Sequence, residues 1–127
     1  MPGEKVLIVD DDEVFLEELK EMLIVSGYDV TAVSESEAAI NTAVKIRPDV
    51  ILLDLKMPTM SGFEVVKQLK NFSETNDIPI VAMSGFYSVD KTSWLMSYCG
   101  FNDCLKKPFN PVNVISSIES VINKNKH

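Results

Sequence analysis

The sequence predicts an α/β fold in which one parallel sheet is covered by helices on both faces, and three observations carry that prediction. Val6-Leu7-Ile8-Val9 and Val50-Ile51-Leu52-Leu53 are continuous apolar runs without the polar alternation of a half-exposed strand, as expected of strands buried on both sides. Such runs alternate along the chain with segments of helical apolar spacing, joined by short loops. Both runs end in acids, Asp10-Asp11 and Asp54, and ligand sites of open α/β sheets form at strand carboxyl ends.

After the first strand, Phe15, Leu16, Leu19, Met22 and Leu23 recur at helical spacing, and Ser26-Gly27 closes that helix. Asp12 is placed to cap its start. Tyr28 to Val33 reads as a short strand. Ser34 or Ser36 is expected to cap a second helix bearing Ala39, Ile40, Ala43 and Ile46, which Pro48 stops before the Asp54 strand. Lys56 to Gly62 forms a loop, and Phe63 to Leu69 a third helix with Val65, Val66 and Leu69 inward. Ile78 to Met83 is the fourth strand, with Pro79 at its start. A fourth helix is expected over Val89 to Cys99, ending at Gly100. Cys104-Leu105 lies in a fifth strand, and Pro111 opens a last helix carrying Val114, Ile115, Ile118 and Ile122. Residues 1–127 are thus expected to form one domain, with a core over about 5–122 and a polar tail at 123–127.

Composition narrows the function. The net charge of −7 and pI near 4.6, with scattered Lys and Arg, argue against direct nucleic-acid binding. No stretch approaches the roughly 20 apolar residues of a membrane span, and the opening apolar run is too short for a signal peptide, so a cytoplasmic location is expected. Cys99 and Cys104 admit a disulfide, a metal half-site or plain packing as small hydrophobes; packing in a reducing cytosol is favoured. The sole histidine, His127, stands at the terminus, which leaves no support for a Cys-His metal site or nucleophile.

If the first and third strands are neighbours, Asp10, Asp11 and Asp54 converge at one sheet edge. Like charges that close are costly unless a cation joins them, and oxygen-only donors favour a hard ion, Mg2+ above others. Ser84 and Lys107 fall at the carboxyl ends of strands four and five. Acids, a hydroxyl and a lysine at one edge suit phosphoryl chemistry, which depends on positioning and on stabilising charge on the transferred oxygens.

These motifs together resemble the receiver domain of bacterial response regulators: Val6-Leu7-Ile8-Val9-Asp10-Asp11, Ile51-Leu52-Leu53-Asp54-Leu55-Lys56-Met57-Pro58, Met60-Ser61-Gly62, Val81-Ala82-Met83-Ser84-Gly85 and Leu105-Lys106-Lys107-Pro108-Phe109. The resemblance implies a flavodoxin-like, doubly wound sheet of strand order 2-1-3-4-5 with five helices. It implies that Asp54 accepts a phosphoryl group from a histidine kinase or phosphotransfer protein. Mg2+ would be held by Asp10, Asp11, Asp54 and the backbone carbonyl of Lys56, while Ser84 and Lys107 meet phosphoryl oxygens. It further implies a cis Lys107-Pro108 bond, tuning of the phosphorylated lifetime by Lys56 and Phe86, and a downstream target or output domain as partner. No second domain follows the last helix within the chain, which is compatible with a stand-alone regulator or with the receiver portion of a longer protein.

The chain departs from the family at Cys104, where an aromatic residue usually moves inward on activation; a thiol does not fill that volume. On the expected fourth helix, Thr92, Leu95, Met96 and Cys99 share one side at about 100° per residue, so Trp94 and Tyr98 point away and suit a contact with a partner or a second copy. Two other functions compete with the phosphorylation switch. Asp10-x-Asp12 resembles the nucleophile motif of haloacid-dehalogenase-like phosphatases, although Glu13-Val14 replaces the small pair expected after it and Asp54 is then unexplained. A phosphorylation-independent binding module on the same fold is the third.

Overall fold

The structure, a computed structural model, describes residues 3–85 and 99–125. Five strands form one sheet: β1 (Lys5–Val9), β2 (Asp29–Val33), β3 (Val50–Asp54), β4 (Ile80–Ser84) and β5 (Asp103–Lys106). All pairings are parallel, as the apolar runs predict, and the order is β2-β1-β3-β4-β5, as the family resemblance implies. Four helices lie among the described residues: α1 (Glu13–Val25), α2 (Ser36–Ile46), α3 (Gly62–Lys70) and α4 (Pro111–Asn125). The helix expected over Val89 to Cys99 falls largely on 86–98, outside the described residues, and so do Phe86, Trp94 and Tyr98.

Alternation within each strand divides the core in two. Leu7, Val9, Ile51, Leu53, Ile80 and Ala82 pack with Ala39, Ile40 and Ala43 of α2 and with Val65, Val66 and Leu69 of α3. Val6, Ile8, Val50, Leu52, Val81 and Met83 pack on the other face with Leu16, Leu19 and Leu23 of α1 and Val114 and Ile118 of α4. β3 and β4 are buried at every position, as unalternated apolar runs require. Cys99 and Cys104 are free thiols, half-buried against the α2–α3 side, so the packing expectation stands and the disulfide one does not.

Several boundaries differ from expectation for local reasons. Tyr28 precedes β2 because its N–H is still committed to the Leu23 carbonyl, closing α1 through Gly27 at φ 100°. Ile78 likewise gives its N–H to Thr75 and stays outside β4. Asp12 caps α1 by accepting from the Phe15 N–H at 3.1 Å, as expected. Neither Ser34 nor Ser36 caps α2; Glu35 stands at the cap position without a side-chain bond, and Ser36 is the first helical residue. The last helix runs on through Asn125, so much of the polar tail is helical. Among the described residues, no helix is long and apolar enough to cross a membrane.

Candidate functional site

The β1–β3 register pairs Val9 with Leu53. The next residues, Asp10 and Asp54, therefore sit at adjacent strand ends and share the parity of Val6, Ile8, Val50 and Leu52. Asp10 is fully buried and Asp54 is 6% exposed, while Asp11 is exposed. One carboxylate oxygen from each of the three lies within 4.8 Å of the others. Asp10, Asp11, Asp54, Lys56, Ser84 and Lys107 all line one cavity of about 200 Å³ at the carboxyl end of the sheet. The six residues expected to hold the cation and the phosphoryl group are thus brought to one place, while Phe86 lies outside the described residues.

Lys107 leaves β5 through a cis Lys107–Pro108 bond. Its backbone N–H donates to the Ser84 carbonyl at 2.7 Å, which ties the ends of β4 and β5 together. Its Nζ donates to Asp10 Oδ2 at 2.5 Å and lies 3.6 Å from Asp54 Oδ1. The same ammonium sits 4.4 Å from the centroid of Phe15, a favourable cation–π distance. Asp10 Oδ1 accepts the Asp12 N–H at 2.9 Å, and Asp54 Oδ1 the Lys56 N–H at 3.4 Å. Ser84, 2% exposed, is the last residue of β4.

The ion pair between Lys107 and Asp10, and the aromatic face beneath the lysine, were not anticipated; a lysine one residue past an edge strand gives no sign of where its ammonium turns. Gly62 is a second feature sequence reasoning left unread. A Cβ there would meet the Asp54 carbonyl oxygen at 2.5 Å and Leu55 Cα at 2.9 Å, both backbone atoms. Glycine at this position lets α3 start directly against the end of β3, with Ser61 Oγ capping Glu64 N at 3.4 Å. The Ser61-Gly62 pair is a recognisable helix start, but the close approach depends on tertiary geometry.

The donor set fits a hard divalent cation: three carboxylates, oxygen atoms only, with Lys107 offsetting part of their charge. Burial pushes the Asp54 carboxyl up to about 6, the Asp10 charge adds to this and Asp11 a little more, while Lys107 and the Lys56 N–H pull the other way. Because the folded-state value lies above the ordinary 3.8, Asp54 favours folding fully below pH 3.8 and loses that contribution as pH rises through about 6. Asp54→Asn cannot ionise there. In chelator, the melting temperature of Asp54→Asn minus that of wild type should therefore widen from pH 4 to pH 7; thermal melts that show a constant or narrowing gap would contradict this.

Comparison with known proteins agrees with the geometry. A parallel sheet of order β2-β1-β3-β4-β5 with helices on both faces defines a flavodoxin-like α/β protein, and the family is more specific. The family model for the response regulator receiver domain matches residues 6–119. The chain belongs to that family. It is similar to the transcriptional regulatory protein PrrA of Mycobacterium tuberculosis, 33% identical over 94% of this chain and 50% of the relative. It is also similar to the phosphate regulon regulatory protein PhoB of Pseudomonas aeruginosa, 31% identical over 98% of this chain and 54% of the relative. The chain spans about half the length of the curated relatives it matches. Among solved structures, chemotaxis protein CheY4 of Vibrio cholerae superposes with a TM-score of 0.86 at 33% identity, covering 94% of this chain and 98% of that one. The receiver domain of sensor histidine kinase PA1611 from P. aeruginosa, solved with a magnesium ion in its active-site cleft, gives 0.85 at 26% identity, covering 95% and 98%. Receiver domains are signalling modules of two-component systems rather than classical enzymes.

Proposed function

We propose that this chain is a phosphoacceptor switch in which Asp54 takes a phosphoryl group from the phosphohistidine of a histidine kinase or phosphotransfer protein. The single observation that carries the proposal is the convergence of Asp10, Asp11, Asp54, Ser84 and Lys107 on one pocket in a chain of the receiver family. An Asp54 oxygen attacks phosphorus, the new O–P bond replaces the N–P bond of the donor, and the imidazole keeps the electron pair. No general base is needed, since a carboxyl titrating at about 6 is mostly ionised at neutral pH. Mg2+, held by Asp10, Asp11, Asp54 and the Lys56 carbonyl, would supply charge neutralisation at the phosphoryl oxygens. Lys107, already beside Asp54, moves from the Asp10 carboxylate to a phosphoryl oxygen, and the Ser84 hydroxyl donates to another. The altered positions of Lys107 and Ser84 shift the domain between two states and so change its affinity for a downstream target or output domain.

Cys104 pairs with Ala82 in the β4–β5 register and packs on the α2–α3 core, where the family usually carries a mobile ring. Readout in this chain therefore relies on β4 and Lys107 rather than on an aromatic at that position.

Intact-mass measurement after acetyl phosphate and Mg2+ treatment tests the proposal. Wild type should gain one phosphoryl group and Asp54→Asn none. Loss of the gain only in Asp10→Asn would favour the phosphatase alternative, and no gain in wild type the phosphorylation-independent module.

A further inference from the structure

Ser36 opens α2 and is 1% exposed, yet its hydroxyl caps no helix. It donates instead across the fold to the Met60 carbonyl at 2.6 Å, and Met57 Sδ lies 3.6 Å from the Ser36 Oγ. A serine hydroxyl has one proton, and the short carbonyl contact takes it. In an apolar surround an unbonded hydroxyl or carbonyl is costly, so each of these two groups holds the other in place.

Met60 belongs to the loop between Asp54 and α3, the loop that also carries Lys56. That loop is fixed at its ends by Leu55 N–H to Met83 carbonyl at 3.1 Å and by Gly62 N–H to Leu55 carbonyl at 3.0 Å. Between those ends, Met57 is buried and Gln68 Nε2 lies 3.7 Å from Met60 Sδ. Ser36 adds a tie from a different helix to the outer limb.

We infer that Ser36 is a positioning residue for the cation pocket: by gripping the Met60 carbonyl it pre-orders the loop that presents the Lys56 carbonyl. The inference rests on the pocket's taking Mg2+, as proposed above. Without the bond the loop samples other arrangements, and apparent affinity falls in proportion to the fraction still competent to bind. Loss of one neutral hydrogen bond corresponds to about a three- to tenfold weakening. Coordination itself holds the loop once an ion is bound, so the effect falls on Mg2+ affinity and not on the phosphorylation rate at saturating Mg2+.

Calorimetric Mg2+ titration of wild type, Ser36→Ala, Ser36→Gly and Ile40→Val tests this. Ile40→Val trims the same helix in the core without touching the loop bond. Both Ser36 variants should bind Mg2+ about three- to tenfold more weakly, with Ile40→Val unchanged and all acetyl phosphate rates alike at saturation. Wild-type affinity in both Ser36 variants, or an equal loss in Ile40→Val, overturns the role of Ser36 alone. No Mg2+ binding by wild type overturns the pocket assignment and this inference with it.

Discussion

Lys107→Met should destabilise the metal-free protein by about 3 kcal/mol, the lower end of the cost of stripping a buried carboxylate of its partner. Asp10 has a side chain 1% exposed and is paired to Lys107 Nζ at 2.5 Å, whereas the lysine side chain is 23% exposed. Methionine keeps the aliphatic stem over Phe15 and removes only the charge, which leaves Asp10 facing Asp54 without a counterion. Asp10→Asn together with Lys107→Met removes both charges and should recover much of the loss. Denaturant melts of the four members of this cycle in chelator measure the coupling; a coupling near zero would mean that the pair holds nothing in place. Mg2+ should restore part of the stability of the single variant, because a cation takes over the task of the ammonium.

Gly62→Ala is the second large effect. The added carbon would stand 2.5 Å from the Asp54 carbonyl oxygen, so α3 and the end of β3 must separate. Overpacking of this kind costs about 1–3 kcal/mol, and here the displaced backbone is that of Asp54 itself. The variant should lose stability and also take up phosphate from acetyl phosphate more slowly than wild type, whereas alanine at Gly85, which meets no atom of the described residues within 4 Å, should melt much closer to wild type. Equal melting temperatures for Gly62→Ala and wild type would show that the loop yields freely.

Much of this was legible in the residues. The unalternated runs ending in Asp10-Asp11 and Asp54 specify strands buried on both faces, and once β1 and β3 are neighbours the acids must meet. Ser84 and Lys107 follow from the same rule of strand carboxyl ends. What sequence did not disclose depends on packing across distant segments. The turn of the Lys107 ammonium toward Asp10 and Phe15, and the contact of Gly62 with the Asp54 carbonyl, leave no periodic trace. Ser36 misled for a related reason: a serine before an apolar helical pattern suits a cap, but a buried hydroxyl goes to whichever acceptor the fold supplies, here a carbonyl of a loop joining other elements. Tyr28 and Ile78 extended the expected strands because apolar character marks burial and not strand pairing; their N–H groups were already engaged in turns.

If Asp54 is the phosphoacceptor, the carboxylates at the ends of β1 and β3 gather around one divalent ion beside it. Crystals grown with Mn2+ in place of Mg2+ test it directly, since anomalous scattering locates the ion without reference to the protein. Manganese should occupy one site touching oxygens of Asp11 and Asp54, with Asp10 in contact directly or through water. Manganese bound elsewhere, or Asp54 oxygens turned away from an ion held by Asp10 and Asp11 alone, would contradict it.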